Sequence, residues 1–233
     1  VGETLYGTNT KFAPVYEPEI GGTYYLAAHK DGALKFFATG SVGATLSPYN
    51  SLNTADEPDD SRLVTLKETP TAGAGDFQLY LSDGETVIYR YNNGNGTSKK
   101  ADYKTAERAS FSISEVDGVK VLYKYSYNEV LALKEIENSS GAKVWRMLCV
   151  DPSELANGNV YPVMFVTPHE HVYNEDVEGT KDGHSAYCNC NLLGPVVSHS
   201  FTDWTMDRTA GTQSAACMVC HYKLLNEQSP HYD

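Results

Sequence analysis

The chain has 233 residues, 41% hydrophobic and 21% charged, so it holds enough apolar side chain for a core and is not a disordered chain. Its formal net charge of −12 argues against nucleic-acid backbones and anionic membrane surfaces as partners. No apolar run approaches the ~20 residues of a membrane helix, so membrane insertion is not expected. Tyrosine is abundant, 17 against 7 Phe and 2 Trp, and suits half-buried sheet surfaces because its ring packs while its hydroxyl reaches water.

In chain order, residues 1–20 carry few apolar anchors and two prolines, Pro14 and Pro18, and are expected to form an extended arm. Residues 21–167 then alternate strand-like runs with Gly, Asn, Asp and Ser punctuation. The runs are Thr23–Ala28, Leu34–Thr39, Leu63–Lys67, Phe77–Leu81, Thr86–Tyr91, Ser110–Ser114, Val119–Tyr125, Val130–Ile136, Val144–Val150 and Val160–Thr167. Only Ser153–Ala156 and the Thr105–Arg108 neighbourhood read as helical, and both are short. The stretch Phe77–Tyr91 matches Phe111–Tyr125, each reading as strand, Asp-Gly turn, strand. A fainter third unit runs from Tyr25 through Asp31-Gly32 to Phe37. Asp-Gly supplies the positive φ that a tight hairpin turn demands.

The expected fold is mostly β: an antiparallel β-barrel, β-trefoil-like or OB-like, followed by a small Cys/His tail. Gly22-Thr-Tyr-Tyr-Leu26 and Glu129–Leu133 resemble strands of trefoil-like modules in bacterial surface proteins. That resemblance implies a binding module and not an enzyme. Two long loops, Gly40–Ser61 and Asn92–Lys104, interrupt the barrel. The first carries Asp56-Glu57-Pro58-Asp59-Asp60, a calcium-capable cluster that lacks the spacing of a calcium loop and reads as solvated. Asn95-Gly-Thr and Asn138-Ser-Ser are glycosylation sequons.

Residues 168–225 hold the metal-capable chemistry, with 226–233 as a tail. All but His29 and Cys149 of the 7 His and 5 Cys lie beyond residue 168. His171-Val-Tyr-Asn-Glu matches His199-Ser-Phe-Thr-Asp, and Ser185-Ala-Tyr-Cys188 matches Ser214-Ala-Ala-Cys217. Thiolate and imidazole together suit zinc, which takes four such ligands in structural sites. Segments this short bury little core and need a metal or disulfide staple. The first stretch offers His171, His184, Cys188 and Cys190. The second offers His199, Cys217 and Cys220, with Gln213 standing where the first has His184. Its fourth ligand is then His221, with His169 and His231 as further candidates. One to two zinc ions per chain are expected, in closed structural sites.

The pattern resembles the tandem Cys/His repeats of secreted proteins from anaerobic, gut-type bacteria. There the unit is His-x-aromatic, a Gly-containing stretch and Cys-x-x-Cys. His171-Val-Tyr173 and His199-Ser-Phe201 fill the opening, Gly183 and Gly211 the middle, and Cys217-Met-Val-Cys220 the close. Cys188-Asn-Cys190 is one residue short. The resemblance implies zinc-binding modules without chemistry of their own.

Competing readings of the same residues are disulfides between the 188/190 and 217/220 pairs, a redox Cys-x-x-Cys, and c-type haem through Cys217-Met-Val-Cys220-His221. Nucleophile elbows, phosphate loops and a His-Glu-x-x-His helix are all missing from the sequence, so no enzyme is expected. Scattered carboxylates in an acidic chain are the ordinary reading of its many Asp and Glu. The main functional expectation is a non-catalytic binding protein, secreted or on a bacterial surface, with a glycan or host-protein ligand. Alternatives are a self-associating subunit of an extracellular assembly, through the arm, and a haem electron carrier. Val1-Gly2-Glu3-Thr4 begins no signal peptide; where one existed, it has been removed.

Overall fold

The computed structural model describes residues 11–38, 52–71, 73–91, 94–99, 106–138, 140–190, 193–207, 209 and 212–225. His231 and the 226–233 tail lie outside these, as do the 1–10 part of the expected arm and most of the Gly40–Ser61 loop. The chain divides into two compact units, Val1–His169 and Glu170–Asp233. Among the described residues no helix is long and apolar enough to cross a membrane.

The first unit is all antiparallel sheet. Its strands are β1 (Phe12–Val15), β2 (Thr23–Lys30), β3 (Ala33–Phe37), β4 (Leu52–Ala55), β5 (Val64–Glu68), β6 (Phe77–Leu81), β7 (Thr86–Tyr91), β8 (Gly94–Lys99), β9 (Ser110–Val116), β10 (Val119–Lys124), β11 (Glu129–Glu137), β12 (Lys143–Val150) and β13 (Val160–Pro168). All ten expected strands are present. Three more, β1, β4 and β8, come from segments read as arm or loop.

The pairings close on themselves. β2 pairs β5, β5 pairs β6, β6 pairs β9, β9 pairs β10, and β13 pairs β2. β11 completes the circuit by pairing both β10 and β13. Outside this ring, β3–β4, β7–β8 and β11–β12 form three hairpins. The ring thus runs through seven strands, with β11 shared between it and the β11–β12 hairpin, and a closed antiparallel ring carrying three outer hairpins in this chain order is trefoil-like. Closure leaves the ring no free edge to template aggregation.

Side-chain alternation fixes which face is buried. Leu26, Leu66, Leu79, Leu122 and Phe165 are fully buried, and they come from five different ring strands. Phe165 packs its ring against Tyr24 at 5.4 Å and Phe77 at 5.7 Å between centroids. Turn chemistry sets the registers. Asp31-Gly32 (φ 50° and 82°) and Asp117-Gly118 (49° and 80°) each place two successive residues at positive φ, as two-residue hairpins require. At Asp83-Gly84 only the glycine is at positive φ, and the Asp83 carboxylate accepts from the Glu85 and Thr86 amides instead.

The matched stretches Phe77–Tyr91 and Phe111–Tyr125 are both hairpins, but they are not equivalent. The first joins a ring strand, β6, to a hairpin strand, β7. The second joins two ring strands, β9 and β10. What they share is the strand–Asp-Gly–strand grammar and not a common place in the fold.

The expected arm contributes β1, which pairs with β13 of its own chain from Phe12↔Pro168 to Val15↔Phe165. Part of the expected 92–104 loop is β8, paired with β7. In the acidic 56–60 cluster, Asp56 pairs with Lys35, Asp59 caps a 3-10 turn at Asp60–Arg62, and Asp60 accepts from the Tyr25 hydroxyl. These carboxylates therefore bind their own chain.

Candidate metal centres

The second unit is built of two small sheets. One is a hairpin of β14 (Tyr173–Thr180) and β15 (Gly183–Cys188); the other is three-stranded, with β16 (Thr205–Asp207), β17 (Thr212–Ala216) and β18 (Lys223–Leu225). None of the five cysteines is joined in a disulfide.

The ligand-capable side chains fall into two groups of four. One is His169, His171, Cys188 and Cys190; the other is His184, His199, Cys217 and Cys220. Within each group the ligand atoms all lie within 4.8 Å of one another. Each group offers two imidazole nitrogens and two sulfurs and could hold a metal ion. Among the described residues, no other set of His, Cys, Asp or Glu is gathered in this way.

The partition differs from the one the sequence suggests. His184 belongs with Cys217 and Cys220, not with Cys188 and Cys190. The reason is strand geometry: His184 and Cys188 both lie in β15, four residues apart. At about 3.3 Å per residue an extended chain puts them ~13 Å apart, far beyond the span of a tetrahedral site. The vacancy in the first group is filled by His169, two positions before His171. His221, the expected fourth ligand of the second group, is in neither group. It sits in the left-handed region at φ 58°, immediately after Cys220, with its side chain exposed. His29 and Cys149 stay in β2 and β12, apart from both groups. The short Cys188-Asn-Cys190 spacing does bring both sulfurs together, because β15 ends at Cys188 and the chain turns at Asn189–Cys190.

The contacts inside the two groups correspond. Cys190 Sγ lies 3.3 Å from His171 Nδ1, and Cys220 Sγ lies 3.5 Å from His199 Nδ1. Cys217 Sγ lies 3.7 Å from His184 Nδ1. His199 shows how the ring is set. Its Nε2–H donates to the Thr180 carbonyl at 2.6 Å, which assigns the proton to Nε2 and leaves the Nδ1 lone pair facing the sulfurs. A ligating histidine that anchors its other nitrogen on a carbonyl is the usual second-shell arrangement. The neighbouring Cys217 sulfur, and then the Thr180 carbonyl, raise the His199 pKa.

Cys217 is fully buried. Burial raises its pKa, but the backbone N–H groups of Cys220 and Val219, with His199 and the backbone at Ser200, outweigh it and bring the thiol down to about 5. The Cys220 and Val219 donors come from the turn after β17. There the Cys217 amide bonds the Tyr222 carbonyl and the His221 amide bonds the Cys217 carbonyl. A loop that aims amides at a sulfur stabilises the thiolate, the form that binds metals.

Glycine makes room for the second group. A Cβ on Gly179 would stand 2.6 Å from Cys220 Sγ, closer than atoms approach without contact strain. A Cβ on Gly183 would stand 2.5 Å from the Val197 carbonyl oxygen. There His184 and Val197 exchange backbone hydrogen bonds of 2.8 and 2.7 Å. Three further rings surround the imidazoles: His171 stacks on Tyr173, His199 stacks on Tyr222 at 5.0 Å, and Phe201 lies 5.1 Å from His199.

Set against protein families, curated proteins and solved structures, the chain matches none of them.

Proposed function

We propose that both groups hold zinc as a structural ion, two per chain, and that the protein is a non-catalytic binding protein working outside the cell. One observation carries the zinc reading: each group supplies four protein donors, two imidazoles and two thiols. That donor set suits zinc, and filling all four corners with side chains leaves no place for a reacting water. His169, His171, Cys188 and Cys190 would hold one ion; His184, His199, Cys217 and Cys220 the other. The ion would supply four bonds that replace a missing hydrophobic core. The haem reading draws less support, since it needs His221 beside Cys217 and Cys220, and those sulfurs instead stand with His184 and His199.

Elemental analysis of the purified protein tests this. About two zinc ions per chain and no Soret band are expected. A metal-free protein with its 188/190 and 217/220 cysteines paired as disulfides would sink the proposal, and a Soret band would replace it with haem.

The binding role rests on the trefoil unit. Tyr125 is 53% exposed at the β10–β11 turn, and its ring lies 4.8 Å from that of Tyr123. Adjacent half-exposed rings offer an apolar face with hydroxyl handles, which suits the C–H face of a sugar. The sequence patterning of the Cys/His stretches and the acidic, Tyr- and Asn-rich composition favour a secreted or surface-attached bacterial protein. A glycan array with wild type and Tyr125→Ala checks the ligand class. Binding lost in the variant is the expected result, and no hit with either protein would turn the search to protein ligands.

A further inference from the structure

The two groups are not independent, and the dependence has a direction. The first draws all its ligands from residues 169–190, whereas the second takes Cys217, Cys220 and His199 from one stretch and His184 from the other. The β14–β15 hairpin runs between them. Its open end, where Tyr173 faces Cys188, belongs to the first group; its closed end, where Gly179 faces His184 and Thr180 faces Gly183, belongs to the second. Four features of that closed end serve the second group. His184 is a ligand, the Thr180 carbonyl holds the His199 ring, Gly179 clears space for Cys220 Sγ, and the His184 backbone pairs with Val197.

We infer that metal loading is ordered: the ion of the 169–190 group binds first and clamps the β14–β15 hairpin, and the second group forms on the hairpin end so presented. This rests on the two-metal reading above. An isolated two-stranded hairpin is at best marginally stable in water. Coupling between the two ions is reciprocal in free energy, so the order follows from how much chain each must fold alone. The first ion organises only one short segment. An ion arriving first at the second group must order the hairpin, the 199–225 stretch and the connection between them. Gln213, at the position matching His184, is in neither group among the described residues.

The test is a zinc titration of the full chain, with ions per chain counted by native mass spectrometry. Wild type should bind two ions in sequence. The double variant Cys217→Ser/Cys220→Ser should bind one, at the affinity of the first wild-type step. The double variant Cys188→Ser/Cys190→Ser should bind its remaining ion at least about tenfold more weakly than either wild-type step, as loss of an outer-shell scaffold does elsewhere. Gly179→Ala keeps all eight ligands and guards against simple misfolding. It should weaken the second step by roughly 10–100-fold and leave the first unchanged. Equal affinities for the single ions of the two double variants, or an unaltered second step in Gly179→Ala, would overturn the ordering while leaving two metals in place. A wild type that takes up no zinc would overturn the underlying metal reading instead.

Discussion

Residues 11–169 and 170–225 of this chain reach order with different materials. In the trefoil unit the buried side chains are mostly Leu, Val, Phe and Ala, drawn from every ring strand, and the ring closes its own edges. In the second unit the only buried apolar residues among those described are Cys188, Ala215 and Cys217, while Val172, Val196, Val197, Met206, Met218 and Leu225 stay exposed. Two of those three buried residues are ligand-capable. Burial stabilises the first unit through many small contributions, each of about 25 cal/mol per Å² of apolar surface. The second buries too little for that, and under the two-metal proposal a few strong bonds would take its place. A high proportion of buried sulfur in a sparse core is what the two-metal proposal would explain.

The sharpest way to break this comparison is to take the metal away. A structural zinc site is worth about 10–16 kcal/mol at neutral pH, more than a unit of this size could otherwise supply. Chelation should therefore collapse the amide dispersion of residues 170–225 and leave that of 12–167 unchanged, as read in a proton–nitrogen correlation spectrum. Retained dispersion in the metal-free second unit would mean that its sheets hold themselves together.

The converse is a cavity in the first unit. Phe165 is fully buried between Tyr24 and Phe77. Phe165→Ala should cost about 3–5 kcal/mol in urea unfolding of the trefoil unit. Zinc content should stay at the wild-type value. Loss of metal from this variant would show that the two units do not fold separately.

Sequence patterning reached the first unit more fully than the second. Ten strands were legible because a half-buried strand writes its burial into every second residue, and Asp31-Gly32 and Asp117-Gly118 announced their turns. β4 (Leu-Asn-Thr-Ala) and β8 (Gly-Asn-Gly-Thr-Ser-Lys) carry too few apolar residues for a period-of-two pattern to show. Nor does a sequence display closure, which depends on β11 pairing two partners along one edge. In the second unit the ligand types were legible and their partition was not. Spacing alone put His184 with Cys188, whereas recognising β15 as a strand would have separated them. The signal for His169 was the His-Glu-His spacing at 169–171. Nothing in the sequence of 199–225 marks His184 as its ligand, because that depends on how the β14–β15 hairpin end meets Val197.

The smallest effect tests the buried charge of the trefoil core. Lys124 is fully buried at the end of β10. Its ammonium donates to the carbonyls of Arg108 at 2.8 Å and Ser110 at 3.1 Å, and it lies 3.9 Å over the Phe111 ring. The side chain thus ties the 3-10 turn Ala106–Arg108 to the start of β9. Burial draws its pKa down from 10.5 to about 8. In the unfolded chain the amine keeps its proton up to about pH 10.4, whereas in the folded chain it releases it near 8. Between those values the unfolded state binds more protons, so stability should rise with pH; below 8 both states are protonated and this contribution is flat. Lys124→Met keeps the length and removes the charge. The stability of wild type relative to this variant should therefore climb between pH 8 and 10 and stay level from pH 6 to 7.5, as followed by denaturant melts of the trefoil unit. A difference that does not move with pH would mean that the carbonyl cradle offsets desolvation and holds the lysine charged throughout. That outcome would make Lys124 a coordinating cation in a largely apolar core, and would narrow the contrast between the two halves of the chain.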